Sequence, residues 1–318
     1  LADRLAAHGV GHIVLDGPMV AAADPAGARD GLRHGVRLGA SGVLALVRDR
    51  ELSERVWADP GGYPGDPWYL DHHATGGYGV HRSWRVTDVA RPPDAKEPYV
   101  PARAGARTAA HADDLVAAVR AALADEPDGV AVLALDTELL GQWWHEGPEW
   151  LARVIDRVAD APDLALTTLA RRTAVRPPTR TVAEPTGTWA SDGGTARWTE
   201  GAAAPLRDGV AAAVAAARAG LAGGRGPAAA RAAVGREVAL LTASDWPFMA
   251  ARDRARGYAA ERVDGHSARL GAVVAAIAAG DDAGALAAAE GCAPVPPDAS
   301  AFVAALDPDG PEAAARTV

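Results

Sequence analysis

The densest set of chemically capable side chains lies in residues 132–151, VLALDTELLGQWWHEGPEWL. Aromatic residues make up 5% of the chain, yet Trp143, Trp144 and Trp150 fall here, with His145 among them and Asp136 and Glu138 just upstream. Indole and imidazole rings offer flat faces and N–H donors that complement the C–H faces and hydroxyls of sugars. A carboxyl group in a partly desolvated aromatic setting suits a general acid. The residue types alone therefore point toward carbohydrate chemistry. The same spacing also fits a Trp-rich packed turn in which Asp136 and Glu138 act as caps, and spacing does not choose between the two.

Positioning such a group takes a strand ending on the acid. The runs GHIVLDG (11–17), GVLALVRD (42–49) and GVAVLALD (129–136) are compact and bounded by glycine or acid, which predicts buried strands, with SWRVTD (83–88) and LALTTLA (164–170) as weaker ones. Between them DDLVAAVRAALADE (113–126) and PEWLARVIDRVADA (148–161) read as amphipathic helices. Strand and helix in alternation predict parallel βα units, whose ligand side is the carboxyl end of the strands, where Asp136 falls. From about Val175 the chain turns rich in Pro and Thr, then becomes Ala-rich and helical over 206–221, 228–242, 247–280 and 283–290. The expected organisation is an α/β barrel portion over 1–175, a linker and inter-domain segment over 176–205, an α-helical domain over 206–293 and a flexible tail over 294–318.

With 318 residues, 49% of them hydrophobic, the chain can bury a full core. The net charge of -9 and the dispersed arginines argue against a nucleic-acid groove or an anionic membrane as partner. No apolar stretch approaches the ~18 residues of a membrane-spanning helix. The single cysteine, Cys292, excludes an internal disulfide framework and, with the rest, leads to the expectation of a cytoplasmic protein. His72 and His73 are adjacent and cannot readily present both rings to one tetrahedral ion, so they read as loop histidines. Nothing implies a cofactor or a metal, and oligomeric state is not legible.

Residues 135–151, LDTELLGQWWHEGPEWL, resemble the fourth conserved region of glycoside hydrolase family 57, D-x-E-L-F-G-H-W-W-x-E-G-P. Further segments resemble the family in order: GGYPGDPWYLDHH (61–73) and GVHRSWRVTD (79–88), which are similar to its branching-enzyme branch, KEPYVPARAGARTAAHADDLV (96–116), GTWASDGGTARW (187–198) and LLTASDWPFM (240–249). The resemblance implies the C-terminal portion of a (β/α)7 barrel followed by an α-helical domain. It further implies retaining glycosyl transfer on α-1,4-glucan, forming α-1,6 branches when a sugar 6-hydroxyl is the acceptor. Asp136 falls on the family's acid/base. Tyr63 and Trp68 are expected to meet acceptor glucan, Trp84 and Arg85 to line the donor side, and Glu138, Trp143, Trp144 and Trp246 to complete the substrate contacts. Related activities of the same family, 4-α-glucanotransferase and α-amylase, and non-catalytic glucan binding, are the alternatives.

The chain departs from the family pattern in specific places. A retaining mechanism needs a second carboxyl ~5–5.5 Å from the first, and the family supplies it from a W-x-P-E-x-x-Y-type segment that these 318 residues do not contain. The H-x-P-H histidines of its first region are also missing. LADRLAAHGVGHIVLDG (1–17) resembles the family's stretch immediately downstream of the nucleophile segment, so the expectation is a piece of a longer chain, inactive by itself. Leu140 and Gln142 stand where the family has Phe and His; Gln keeps a donor and an acceptor but carries no charge.

Overall fold

The computed structural model describes residues 1–25, 32–58, 61–73, 82–189, 193–252, 256–295, 297–307 and 309. Parts of the segments at 79–88 and 187–198, and the end of the expected tail, therefore lie outside the described residues. The chain divides into two compact units, Leu1–Gly193 and Gly194–Val318.

In the first unit the elements are α1 (Ala2–Ala7), β1 (His12–Asp16), α2 (Gly17–Ala23), β2 (Val36–Leu38), β3 (Leu44–Arg48), α3 (Arg50–Trp57), α4 (Pro101–Leu123), α5 (Gly147–Ala159), α6 (Leu169–Val175) and β4 (Thr181–Val182). The strands form one sheet in the order β1-β3-β2-β4. β1 and β3 run parallel with Asp16 opposite Arg48, as the alternating pattern predicts. β2 runs antiparallel to β3, so the sheet is mixed rather than wholly parallel. Consecutive residues Ala45, Leu46 and Val47 of β3 are all buried, as expected of a central strand covered on both faces. Gly35 leads into β2 with φ +74, and a Cβ there would stand 2.6 Å from the Ala45 carbonyl oxygen, so glycine alone permits this approach.

Four sequence expectations are corrected. Residues 129–136 form no continuous strand: Val132 makes a single parallel bridge to Arg48, and its carbonyl accepts the Asp49 N–H at 2.8 Å. Arg48 is the last residue of β3, so there is only a tip to pair with. Residues 164–168 are likewise outside any ladder, and Thr168 caps α6 by accepting the Arg171 N–H. Conversely Thr181 and Val182, in the expected linker, join the sheet beside β2. Helix α4 starts twelve residues before the predicted 113, because Pro101 occupies its first turn and the Ala-rich stretch behind it favours helix.

The second unit is helical, with α7 (Ala196–Thr199), α8 (Ala204–Leu221), α9 (Ala228–Leu241), α10 (Asp245–Ala251), α11 (Arg256–Ala279), α12 (Asp282–Glu290) and α13 (Ser300–Leu306). Along α11, Ala259, Val263, His266, Leu270, Val273 and Ile277 are buried, a spacing of three and four that lays one stripe against the core. The expected tail contributes to that core: Val303 and Leu306 of α13 are buried in it. Among the described residues no helix is long and apolar enough to cross a membrane.

Candidate functional site

Val132 pairs level with the carboxyl end of β3, so the chain that continues to Asp136 runs out beyond that edge of the sheet. There it makes a single 3₁₀ turn, Thr137–Leu139, with Asp136 at the N-cap position. The Asp136 side chain makes no capping hydrogen bond and is exposed, as is Glu138. The alternative of two capping carboxylates is therefore not what the turn adopts. Backbone and aromatic packing fix it instead: Trp143 N–H donates to the Glu138 carbonyl at 3.0 Å and Trp144 N–H to that of Leu139 at 2.9 Å.

The two adjacent tryptophans have different surroundings. Trp143 is half-buried with its ring 5.2 Å from that of Trp57. Trp144 is 1% exposed and sits among Tyr69, Trp150 and Tyr63 at centroid distances of 5.3, 5.1 and 6.3 Å. Trp144, expected to meet substrate, is enclosed by these rings and anchors the turn. Glu146, which residue type and spacing did not single out, is buried and accepts the Leu70 N–H at 3.0 Å. The Gln142 carbonyl accepts from Arg82 Nη1 at 2.9 Å and lies 3.2 Å from His72 Nδ1. The loop around residues 66–73 and the strand-like 82–86 thus close onto the turn that carries Asp136.

Within that loop layer the remaining candidates are mostly engaged. Tyr63 is buried, its hydroxyl donating to Asp114 Oδ2 at 2.6 Å and its ring stacked 4.4 Å from His111. Burial, then the Asp114 carboxylate, push its hydroxyl well above the usual tyrosine range. Arg85 is buried, donates to the Pro67 carbonyl at 2.8 Å, pairs with Glu97 and lies 4.2 Å from the Trp68 ring. Tyr63 and Arg85, expected to meet ligand, have polar atoms engaged with protein partners and support the loop. Trp68 and Trp84 are half-buried and keep surface available. Lys96, the chain's single lysine, pairs with Asp71 in a buried clip that also reaches the Val86 carbonyl at 3.3 Å. Trp189, absent from the sequence candidates, is 45% exposed with the Arg48 guanidinium 5.2 Å from its ring. Its isolation in a Pro/Thr-rich stretch was the available signal.

Two acids at the strand ends could in principle partner Asp136. Asp49 caps α3, accepting the Leu52 N–H at 3.0 Å, and pairs with Arg33. Asp16 is fully buried, with Arg48 and Arg50 nitrogens at 3.5 and 3.6 Å. Neither presents a carboxylate to a ligand. Trp246 belongs to the second unit, half-buried at the start of α10.

Residues 212–301 match the family model for the C-terminal domain of 1,4-alpha-glucan branching enzymes. A probable 1,4-alpha-glucan branching enzyme of Mycobacterium tuberculosis is 33% identical over 287 residues, covering 86% of this chain and 53% of that protein. A 1,4-alpha-glucan branching enzyme of Thermococcus kodakarensis is 32% identical over 245 residues, 71% of this chain and 35% of the relative. The crystal structure of a GH57-type branching enzyme from Pyrococcus horikoshii superimposes with a TM-score of 0.77 at 27% identity, covering 86% of this chain and 52% of that one. The α-amylase AmyC of Thermotoga maritima shares the fold at a TM-score of 0.70 and 23% identity, over 96% of this chain and 60% of its own. The chain spans about half the length of the curated M. tuberculosis relative, and across these matches it is similar to the branching enzymes of glycoside hydrolase family 57.

Proposed function

We propose that these residues serve retaining glycosyl transfer on α-1,4-glucan, forming α-1,6 branches, with Asp136 as general acid/base. The observation that carries the reading is the state of Asp136: it stands beyond the carboxyl edge of the sheet, exposed and without a capping bond, on a turn anchored by the buried Leu139, Trp144 and Glu146. A carboxyl group so placed can give a proton to a leaving glycosidic oxygen and take one from the acceptor hydroxyl. In this reading the first unit is the C-terminal portion of a (β/α)7 barrel, with Asp136 on its ligand face. Trp143, Trp68, Trp84 and Glu138 are the contacts for glucan on this unit, and Trp246 on the helical domain. Names of the related enzymes support the substrate class.

The mechanism takes its second carboxylate from a group other than Asp16 and Asp49, which are already committed. The covalent glycosyl intermediate formed there is resolved by a sugar 6-hydroxyl, giving a branch. The test is Asp136→Asn in the natural polypeptide that carries these residues, incubated with amylose and read by linkage analysis. New α-1,6 linkages should vanish while glucan binding persists; branching that survives the substitution would remove Asp136 from the mechanism. Linkage analysis of the unaltered protein also separates branching from 4-α-glucan transfer and from hydrolysis, neither of which makes α-1,6 bonds.

A further inference from the structure

The helical unit contains a buried ionic network that the proposed chemistry does not use. Glu237 of α9 is 0% exposed and His266 of α11 1%. His266 Nδ1 lies 2.6 Å from Glu237 Oε2. Arg269 donates through Nε to Glu237 Oε1 at 3.1 Å, with its Nη2 2.7 Å from His266 Nδ1, and the Ala293 N–H donates to Glu237 Oε1 at 2.8 Å. Arg262 Nη2 stands 3.3 Å from the other ring nitrogen, Nε2. A guanidinium can only donate, so Nε2 accepts from Arg262, while Nδ1 faces both the Glu237 carboxylate and the Arg269 guanidinium. Burial alone would push the Glu237 carboxyl up, but Ala293, His266 and Arg269 together hold it below its usual range.

This network costs desolvation that a hydrophobic core of the same volume would avoid, so what it positions matters. The residues Tyr258, Arg262, His266 and Arg269 follow one another at helical spacing on α11. Arg262 lies 6.0 Å from the Tyr258 ring, and Tyr258 meets Trp246 edge-on at 6.3 Å. The His266 ring is itself 6.4 Å from that of Trp246. From the other side, α9 holds the same indole: Trp246 Nε1 donates to the Leu240 carbonyl at 2.8 Å, one turn beyond Glu237. With its N–H spent on Leu240, Trp246 has only a ring face to offer, which selects an apolar sugar face rather than a hydroxyl acceptor.

We propose that Glu237, His266 and Arg262 are positioning residues for Trp246, setting the ring face that an α-glucan stacks against. The inference rests on the glucan reading of Trp246. His266 joins two arms: through Nδ1 it closes the α9–α11 junction on Glu237, and through Nε2 it holds Arg262 against Tyr258, the ring that meets Trp246 edge-on.

The two arms separate by substitution. His266→Asn keeps an amide N–H where Nδ1 stood and so retains the Glu237 bond, but it leaves Arg262 without its acceptor. Arg262→Gln, at a half-buried site, cuts the same arm without disturbing the buried pair. Maltoheptaose binding is measured by calorimetry, and the emission due to Trp246 is obtained as the difference from Trp246→Phe, each in the full 318-residue chain. Arg262→Gln should leave the melting temperature nearly unchanged and His266→Asn, which empties part of a buried ring's space, should lower it; both should shift the Trp246 emission and weaken maltoheptaose about tenfold, an effect of the size seen for coupled neighbours. In the Trp246→Phe background neither should weaken binding further. Fold losses that multiply across the two backgrounds, or an unchanged Trp246 emission, overturn the network's role. Binding unaffected by Trp246→Phe alone, or no binding by the unaltered chain, instead sinks the glucan reading on which it rests.

Discussion

The carboxylate of Glu146 accepts the backbone N–H of Leu70 at 3.0 Å across 76 positions of sequence, joining the turn that carries Asp136 to the loop around residues 66–73. Burial and then the same carboxylate push the Tyr99 hydroxyl above its usual range, so Glu146 faces two loop segments at once. Asp136 itself has no such tie. The site is built as an exposed acid on a fixed turn, with the fixing done by Glu146, Trp144 and the Gln142 carbonyl.

Glu146→Ala would leave the Leu70 N–H buried without an acceptor, costing about 1–3 kcal/mol, whereas Glu146→Gln keeps a carbonyl oxygen in place and should cost under about 1 kcal/mol. Denaturant unfolding followed by tryptophan emission separates the two. Equal stabilities for the alanine and glutamine variants would mean that the Leu70 bond contributes nothing.

Acid should weaken the two units in different pH windows. Burial pushes His111 below its ordinary value of 6.5, with Asp66 opposing and Arg107 adding to the shift. The unfolded chain then binds the proton more readily than the folded one, so stability present above pH 6.5 is lost as pH falls below it. Glu237 is a carboxyl held below its ordinary 4.5, so its contribution persists to about that pH and is lost only in stronger acid. Melting temperatures measured from mildly alkaline to strongly acid buffer should fall in two stages, with His111→Asn flattening the upper one and Glu237→Gln the lower. A single stage insensitive to His111→Asn would show that the imidazole is not held neutral.

The sequence was most legible where apolar contrast is strong. The runs that became β1 and β3, and the stripe of α9, announce themselves through buried Val and Leu. The first half of α4 did not, because in PARAGARTAAHA the residue that packs is an alanine or threonine and its exposed neighbour often an alanine too. β4 is two residues in a Pro- and Thr-rich stretch and owes its place to β2, not to local pattern. At the site, residue type located Asp136 but could not rank Trp143 against Trp144. Adjacent indoles are equivalent until tertiary packing points one at Trp57 and the other into the Tyr69–Trp150 cluster. Polar partners were invisible for the same reason: nothing near Tyr63 in sequence foretells Asp114.

Gly220 sets the approach of α8 to α11. A Cβ there would lie 2.6 Å from Val274 Cγ1, inside any ordinary contact, and valine has no flexible end to move aside. Alanine gains about 1 kcal/mol of helix propensity over glycine, but overpacking of this kind costs about 1–3 kcal/mol. Gly220→Ala should therefore lower the melting temperature, and Val274→Ala placed on top of it should recover part of the loss. A more stable single variant would show that the helices can separate without cost.

Arg231 and Asp307 close the end of α13 onto the rest of the helical unit. Both are buried, their charged atoms are 3.2 Å apart, and Asp307 also accepts the Gly224 N–H at 3.0 Å. Arg231 donates in addition to the Leu221 and Arg225 carbonyls, so it cannot swing out to water when its carboxylate is removed. Asp307→Ala should consequently cost about 3–5 kcal/mol, the range for stranding one partner of a buried pair. Replacing both charges, as Arg231→Met with Asp307→Leu, removes the stranded cation and should cost markedly less than the single change, the deficit being set by the carbonyls that lose a donor. Urea unfolding of the three chains tests the ordering, and protease cleavage after residue 293 gives an independent readout of whether α13 has come away. If Asp307→Ala is as stable as the unaltered chain, α13 is held by Val303 and Leu306 alone and the buried charge is incidental to the docking.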